Sequence, residues 1–427
     1  MGFERYISNS VVNNKALIDR SWIDLPVLKS HLMSCSIPNE KIEEWKYFNT
    51  SKIQKGTWKT FQRISKEYSS VEDTNLKNSV LLVNGIFQHT NLSEDIGIKI
   101  YNIANYLEKN PSIKNTIFKN PNKYSEKRIS GKIDNNTTAF LSLNALLNKG
   151  VVIEVAENNI VKEKINLINI IQDNNLLINP YILIICKTGS SLSIVDTTKY
   201  EGDNNWINPC IEGYLDDHAN LSMLSIQSKT KENITTSSLN FHLSEKAKFN
   251  MFVLNRENTK SDIRIFLKKK SSEANINGIL ISSEKKQSDI FCKIEHHSKD
   301  CKSQQNWRLL SADSSTTSVK GKILVKKNSK GSDGKFYSRS LIIGDGASSF
   351  SKPELEIFED EVSCSHGAAF GEIDKNLIFY MQSRGISKNE AIKIIITAFI
   401  NEIVSNDEEM LETYIAEMQD FFEVNIL

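Results

Sequence analysis

Four short runs in the middle of the chain, HANL, KAKF, EANI and DCKS, carry a small residue in second place: Ala219, Ala247, Ala274 and Cys301, at intervals of 28, 27 and 27 residues. A near-constant period of this size predicts a stacked solenoid, in which each unit buries its apolar face only against its neighbours. The small side chain fits where a turn packs closely on the rung beneath it. Between Val151 and Phe370 runs such as VVIEV, INLINII, YILIIC, FNMFVL, DIRIFL and GKILV recur, separated by Gly, Asn, Asp, Ser and Lys. These are strand signals with no amphipathic helix between them. Short strands on a fixed repeat favour a β-helix over a sandwich, which has no reason to repeat, and the fold class is therefore mainly β.

The flanks read differently. Residues 1–136 read as a mixed, largely helical N-terminal region, 137–370 as the parallel β-helix core and 371–427 as a C-terminal helical region. Asp374 can cap a helix that Gly385 stops, and Ser387-Lys388-Asn389-Glu390 has the spacing of a capping box. The helix that follows places Ile392, Ile396, Phe399, Ile400 and Ile403 on an apolar surface wider than one buried face needs. It can sit between intrachain neighbours or dock a partner.

Fifty-three Lys and Arg stand against 52 Asp and Glu, a net charge of +1. That balance argues against a nucleic-acid binder, whose footprint is a basic excess. The first residues contain no apolar core of a signal peptide, and no run of about 18 apolar residues occurs. No membrane partner and a cytoplasmic location are expected. Six cysteines, at 35, 186, 210, 292, 301 and 364, lie too far apart for a local four-cysteine site.

Cys364 and His366 stand two residues apart on a run with strand character, so both point to one face and can reach one metal or one partner surface. Cys292, His296, His297 and Cys301 form a C-x3-H-H-x3-C cluster that invites a zinc reading, but it falls inside the repeating strands and need not converge. Glu359, Asp360 and Glu361 read as a solvated acidic run. No glycine-rich run has the form of a nucleotide site, so any ATP must be bound by another subunit.

The sequences KPELE at 352–356, CSHGA at 364–368 and FYMQSRGI at 379–386 closely resemble the signature of the SufD subunit of the SUF iron–sulfur cluster assembly machine. EEWKY at 43–47, LLVNGIF at 81–87 and LNALLNKGVVIEV at 143–155 resemble its N-terminal landmarks. SufB is the close relative to separate: its cluster cysteine lies in a CDS-type run where this chain has Ser338-Arg339-Ser340. It also has acidic residues beside the matching histidine, where this chain has Ser365 and Gly367. The resemblance implies a right-handed parallel β-helix, a SufB-like partner, and a SufC-like ATPase docked on the C-terminal helices. It also implies a non-enzymatic scaffold role in which His366, and less firmly Cys364, are interface ligands for iron or a nascent cluster. Flavin association belongs to the family complex, and no run here marks a flavin site. The rival readings are a SufB-like paralogue and a solitary β-helix enzyme acting on polysaccharide.

Overall fold

The computed structural model describes residues 37–60, 77–93, 96–110, 140, 149–230, 232–404, 419 and 421–422. Two long sheets face each other, and the chain alternates between them. The first sheet runs in chain order through Lys149–Val155, Pro180–Cys186, Cys210–Leu215, Ile234–Leu243, Thr259–Leu267, Gln287–His296, Thr316–Val325 and Ser348–Ile357. The second runs through Ser79–Val83, Ile165–Ile171, Ser191–Tyr200, Asn220–Gln227, Lys248–Asn255, Glu273–Ser282, Lys302–Ala312, Asp333–Ile343 and Ser363–Glu372. Neighbours in these two series pair in parallel. The fold is the expected parallel β-solenoid, of about eight turns.

Each strand alternates, one face turned to the axis and the other outward. Leu221, Met223, Phe249, Met251, Ile263 and Ile265 belong to one continuous buried core between the sheets. One rung has too little apolar area to hold itself together, so it is ordered by the rungs above and below it.

The turn column differs from the sequence expectation in one member. Asn220 pairs with Lys248, Lys248 with Glu273 and Glu273 with Lys302, so the residues in register before them are Ala219, Ala247, Ser272 and Cys301. Ala274 lies two residues further on, inside its strand and opposite Phe249. The register column is Ser190, Ala219, Ala247, Ser272, Cys301 and Ser332, all essentially buried. Its spacing varies from 25 residues (Ala247 to Ser272) to 31 (Cys301 to Ser332) because the outer loops differ in length. Before each stands a residue with φ between 53° and 77°: Gly189, His218, Lys246, Ser271, Asp300 and Gly331. Each donates its backbone N–H to a carbonyl of the following rung, as His218 does to Glu245 at 2.8 Å and Asp300 to Lys330 at 2.9 Å. These bonds hold residues in a conformation that L side chains otherwise disfavour.

The two ends of the solenoid are unlike. At the N-terminal end each sheet finishes with a short antiparallel strand: Ile86–Thr90 against Ser79–Val83, and Ile98–Asn102 against Lys149–Val155. Asn84 and Gly85, with φ of 48° and 76°, make the tight turn of the first pair. Strand pairing thus crosses the boundary expected near 136, and the described part of the N-terminal region holds strands beside short helices. At the C-terminal end Ser348–Ile357 and Ser363–Glu372, ten residues each, pair on one side only among the described residues.

Residues 37–60 form a strap along the outside of the first sheet. Glu43 meets Lys352 at 2.5 Å, Tyr47 stacks on Phe350 at 4.1 Å, and Asn49 N–H donates to Gln287 at 2.6 Å. Trp45 lies over Lys260, which forms a buried ion pair with Asp289. Further along, Lys52 pairs with Glu232, Trp58 donates to the Asn204 carbonyl, and Lys59 pairs with Leu176. The strap therefore touches both the last strand of the sheet and its first rungs. On the outside of the second sheet lies the helix Lys388–Val404.

Candidate functional site at the open end

Cys364 and His366 lie on the terminal strand Ser363–Glu372 and face the axis. Their register partners, Gly334 and Phe336, are buried in the rung beneath. Gly334 is what makes room: a Cβ there would lie 3.0 Å from Ile323 and 3.4 Å from the Cys364 Sγ. Cys364 is half-buried and packs against the end of the core, while His366 is exposed. Burial pushes the Cys364 thiol above its ordinary value, the Asp333 carboxylate adds to this, and a hydrogen bond from the Gly334 backbone opposes it. Near this end of the solenoid Tyr337, Ile357, Phe358 and Phe370 are exposed, Tyr337 on the outward face with its hydroxyl 3.3 Å from Ser365 Oγ.

Two donors on one face suit iron, since thiolate and imidazole are both accepted ligands. They do not complete a site. Among the described residues no group of three or more His, Cys, Asp or Glu side chains is placed to hold a metal ion. Among the described residues the pair supplies two of the four ligands that a tetrahedral site takes.

The other sequence candidates are dispersed. His296 faces the core, fully buried, with its ring 2.8 Å from Ser303 Oγ, and burial pushes its pKa down to about 4. His297, the next residue, faces out and contacts Glu295 at 2.9 Å. Cys292 lies in the core, where burial raises its thiol pKa, and Cys301 occupies the turn column. Glu359 accepts the Asn328 N–H, and Glu361 pairs with Lys330 at 2.6 Å, both within ordinary turn structure.

The apolar stripe of the C-terminal helix requires a correction. Ile396 and Ile400 are fully buried against Ile279, Ile281 and Leu310 of the chain's own second sheet, and Ile392, Phe399 and Ile403 pack on the same cluster. Arg308 fixes the arrangement by donating to the Phe399 carbonyl at 3.2 Å and pairing with Glu402 at 2.8 Å. The surface left free belongs to the preceding helix, Lys375–Ser383, capped by Asp374 and stopped at Gly385. Leu377, Phe379 and Tyr380 stand exposed there, Phe379 at 73%, and Ile394 is exposed on the neighbouring helix. The available signal was five apolar residues in succession, Leu377 to Met381, more than one face of a short helix can bury. The last part of the C-terminal helical region, from 405 onward, lies mostly outside the described residues.

The described residues form a parallel β-solenoid with a cysteine and a histidine on one face of its last strand and two helices beside it, the architecture of a β-helical scaffold protein. The family model for "SUF system FeS cluster assembly, SufBD core domain" matches residues 169–399, more than half of the sequence, and the chain belongs to this family. Among relatives, it is 33% identical to "Iron-sulfur cluster assembly protein SufD" of Escherichia coli over 148 residues, covering 34% of this chain and 35% of that protein. The match thus spans about a third of that relative's length. A Synechocystis "Iron-sulfur cluster assembly SufBD family protein" is 18% identical over 394 residues, 87% of this chain and 84% of its own. A family member from Pyrococcus horikoshii is 23% identical over 266 residues, 61% of this chain and 59% of its own. No helix among the described residues is long and apolar enough to cross a membrane.

Proposed function

We propose that this chain is the SufD-type subunit of a SUF scaffold, working in the cytoplasm. It pairs through its open end with a SufB-type subunit and docks a SufC-type ATPase on its C-terminal helices. The observation that carries the reading is the open rung itself, where two ten-residue strands lack an outer partner among the described residues and one of them carries Cys364 and His366. Long unpaired edges are a liability unless something covers them. A second solenoid that continues the ladder would cover both and bring the missing ligands.

In this reading iron or a nascent cluster is cargo held between subunits. His366 is the principal ligand from this chain and Cys364 the second. The chain is not an enzyme, and ATP hydrolysis belongs to the partner. Flavin, if the complex carries it, has no recognisable site here. The ATPase-docking surface is moved from the buried stripe to Leu377, Phe379, Tyr380 and Ile394, the side chains that the fold leaves uncovered.

Co-expression with SufB-type and SufC-type chains, followed by native mass spectrometry and iron determination, tests this. A stable hetero-complex is expected, and His366→Ala should leave its assembly intact while lowering its iron content severalfold. A chain that stays alone in the presence of both partners, or unchanged iron in the His366→Ala complex, contradicts the proposal.

A further inference from the structure

Inside the solenoid, where the chain crosses from the second sheet to the first, the core is not apolar. A cavity of about 10 Å³ opens there, lined on its polar side by Asp196, Ser225, Gln227, Ser237, Asn255 and Ser261. These residues come from three successive rungs. Asp196 is 6% exposed, and among the described residues no cation pairs with it.

The hydrogen bonds leave a specific set of unused groups. Ser225 donates to Asp196 Oδ2 at 3.1 Å, which leaves the other carboxylate oxygen able to accept. Ser261 Oγ accepts from Ser237 at 2.9 Å and from Asn255 Nδ2 at 2.9 Å, so its own hydrogen remains to be given. Asn255 thereby keeps its carbonyl oxygen free, and Gln227, whose Oε1 accepts from Tyr200 at 3.2 Å, keeps its amide donors. Acceptors and donors therefore border the same small space. One rung further, the hydroxyls of Ser282 and Ser288 are buried and unpartnered as well. A buried polar cavity of this size has room for one water, which needs two to four polar partners.

We infer that this corner is an internal hydration site that binds a single water molecule, donating to Asp196 and accepting from Ser261. A bare cation fits less well, because the free Ser261 hydrogen points a positive end into the space. The water ties three rungs together across the corner, where no ladder bond joins the two sheets. It also gives the Asp196 oxygen that Ser225 does not reach a donor of its own.

High-resolution diffraction from crystals of the full chain reads the site directly. One density peak is expected at hydrogen-bond distance from Asp196 and Ser261. No peak there, or one ringed by several oxygens at metal-bonding distance, overturns the inference. In solution, oxygen-17 relaxation dispersion counts long-lived internal waters. Ser261→Val, which removes the donor and fills the space, should lower the count by one. Should that variant fail to fold, Val253→Ile fills the same cavity from its apolar wall and carries the same expectation. An unchanged count in the filled variant overturns the inference.

Discussion

Asp196 and His296 share one core and respond to acid in opposite directions. Burial raises the Asp196 carboxyl from 3.8 to about 6, with the Ser225 hydrogen bond opposing. The folded state then holds that proton more tightly, so the stability contributed is present below pH 4 and lost as pH rises through 6, about 3 kcal/mol at 1.36 kcal/mol per unit. His296 falls from 6.5 to about 4 by burial. Its contribution is present above pH 6.5 and lost as pH falls through 4, again about 3 kcal/mol. The two slopes nearly cancel in the natural chain. Denaturant unfolding at fixed ionic strength should show Asp196→Asn gaining stability from pH 4 to 6.5, and His296→Asn losing it over the same range. Curves parallel to the natural protein for both variants would refute this assignment. At this scale the common facing of Cys364 and His366 was readable and the column was not. Strand alternation alone put Cys364 and His366 on one face, whereas Ala274 was misplaced because rungs of unequal length hide the register from any fixed period.

The helix Lys388–Val404 shows how one element can be recognised while the neighbour it covers stays open. Its capping signal is visible in the sequence and present in the fold, with the Glu390 N–H donating to Ser387 at 3.2 Å. Its apolar width was equally visible, but which neighbour it covers depends on outward side chains of strands more than a hundred residues earlier, such as Ile279 and Ile281. Ile396→Ala and Ile400→Ala should each cost about 2–5 kcal/mol of unfolding free energy, the range for a buried large-to-small change. Phe379→Ser and Tyr380→Ser, on the exposed helix beside it, should shift stability by less than about 0.5 kcal/mol. The exposed pair should instead weaken capture of the ATPase subunit at least tenfold in a pull-down titration. If the buried pair abolishes capture without loss of stability and the exposed pair does not, the docking surface has been placed on the wrong helix.

Across the whole molecule the strap joins what the sequence keeps farthest apart: Glu43 and Lys352 are 309 residues distant in the chain. EEWKY could be read as a packing motif, but its partners could not, because no local pattern encodes a contact across so long a loop. Tyr47→Ala combined with Glu43→Lys should speed amide exchange in Ser348–Ile357 about tenfold, while leaving Ser191–Tyr200 protected, since opening is local and follows the contacts removed. Exchange that quickens equally in both strands would mean the strap stabilises the whole fold and has no special hold on the final rung. The unlike ends have a further consequence. Ladders that can accept a neighbour at both tips build filaments without limit, because head-to-tail contacts that do not close keep adding subunits. Here the two tips present different edges, parallel strands of ten residues at one and antiparallel strands of five at the other, so a parallel ladder extended from the first does not continue into the second and head-to-tail growth is disfavoured.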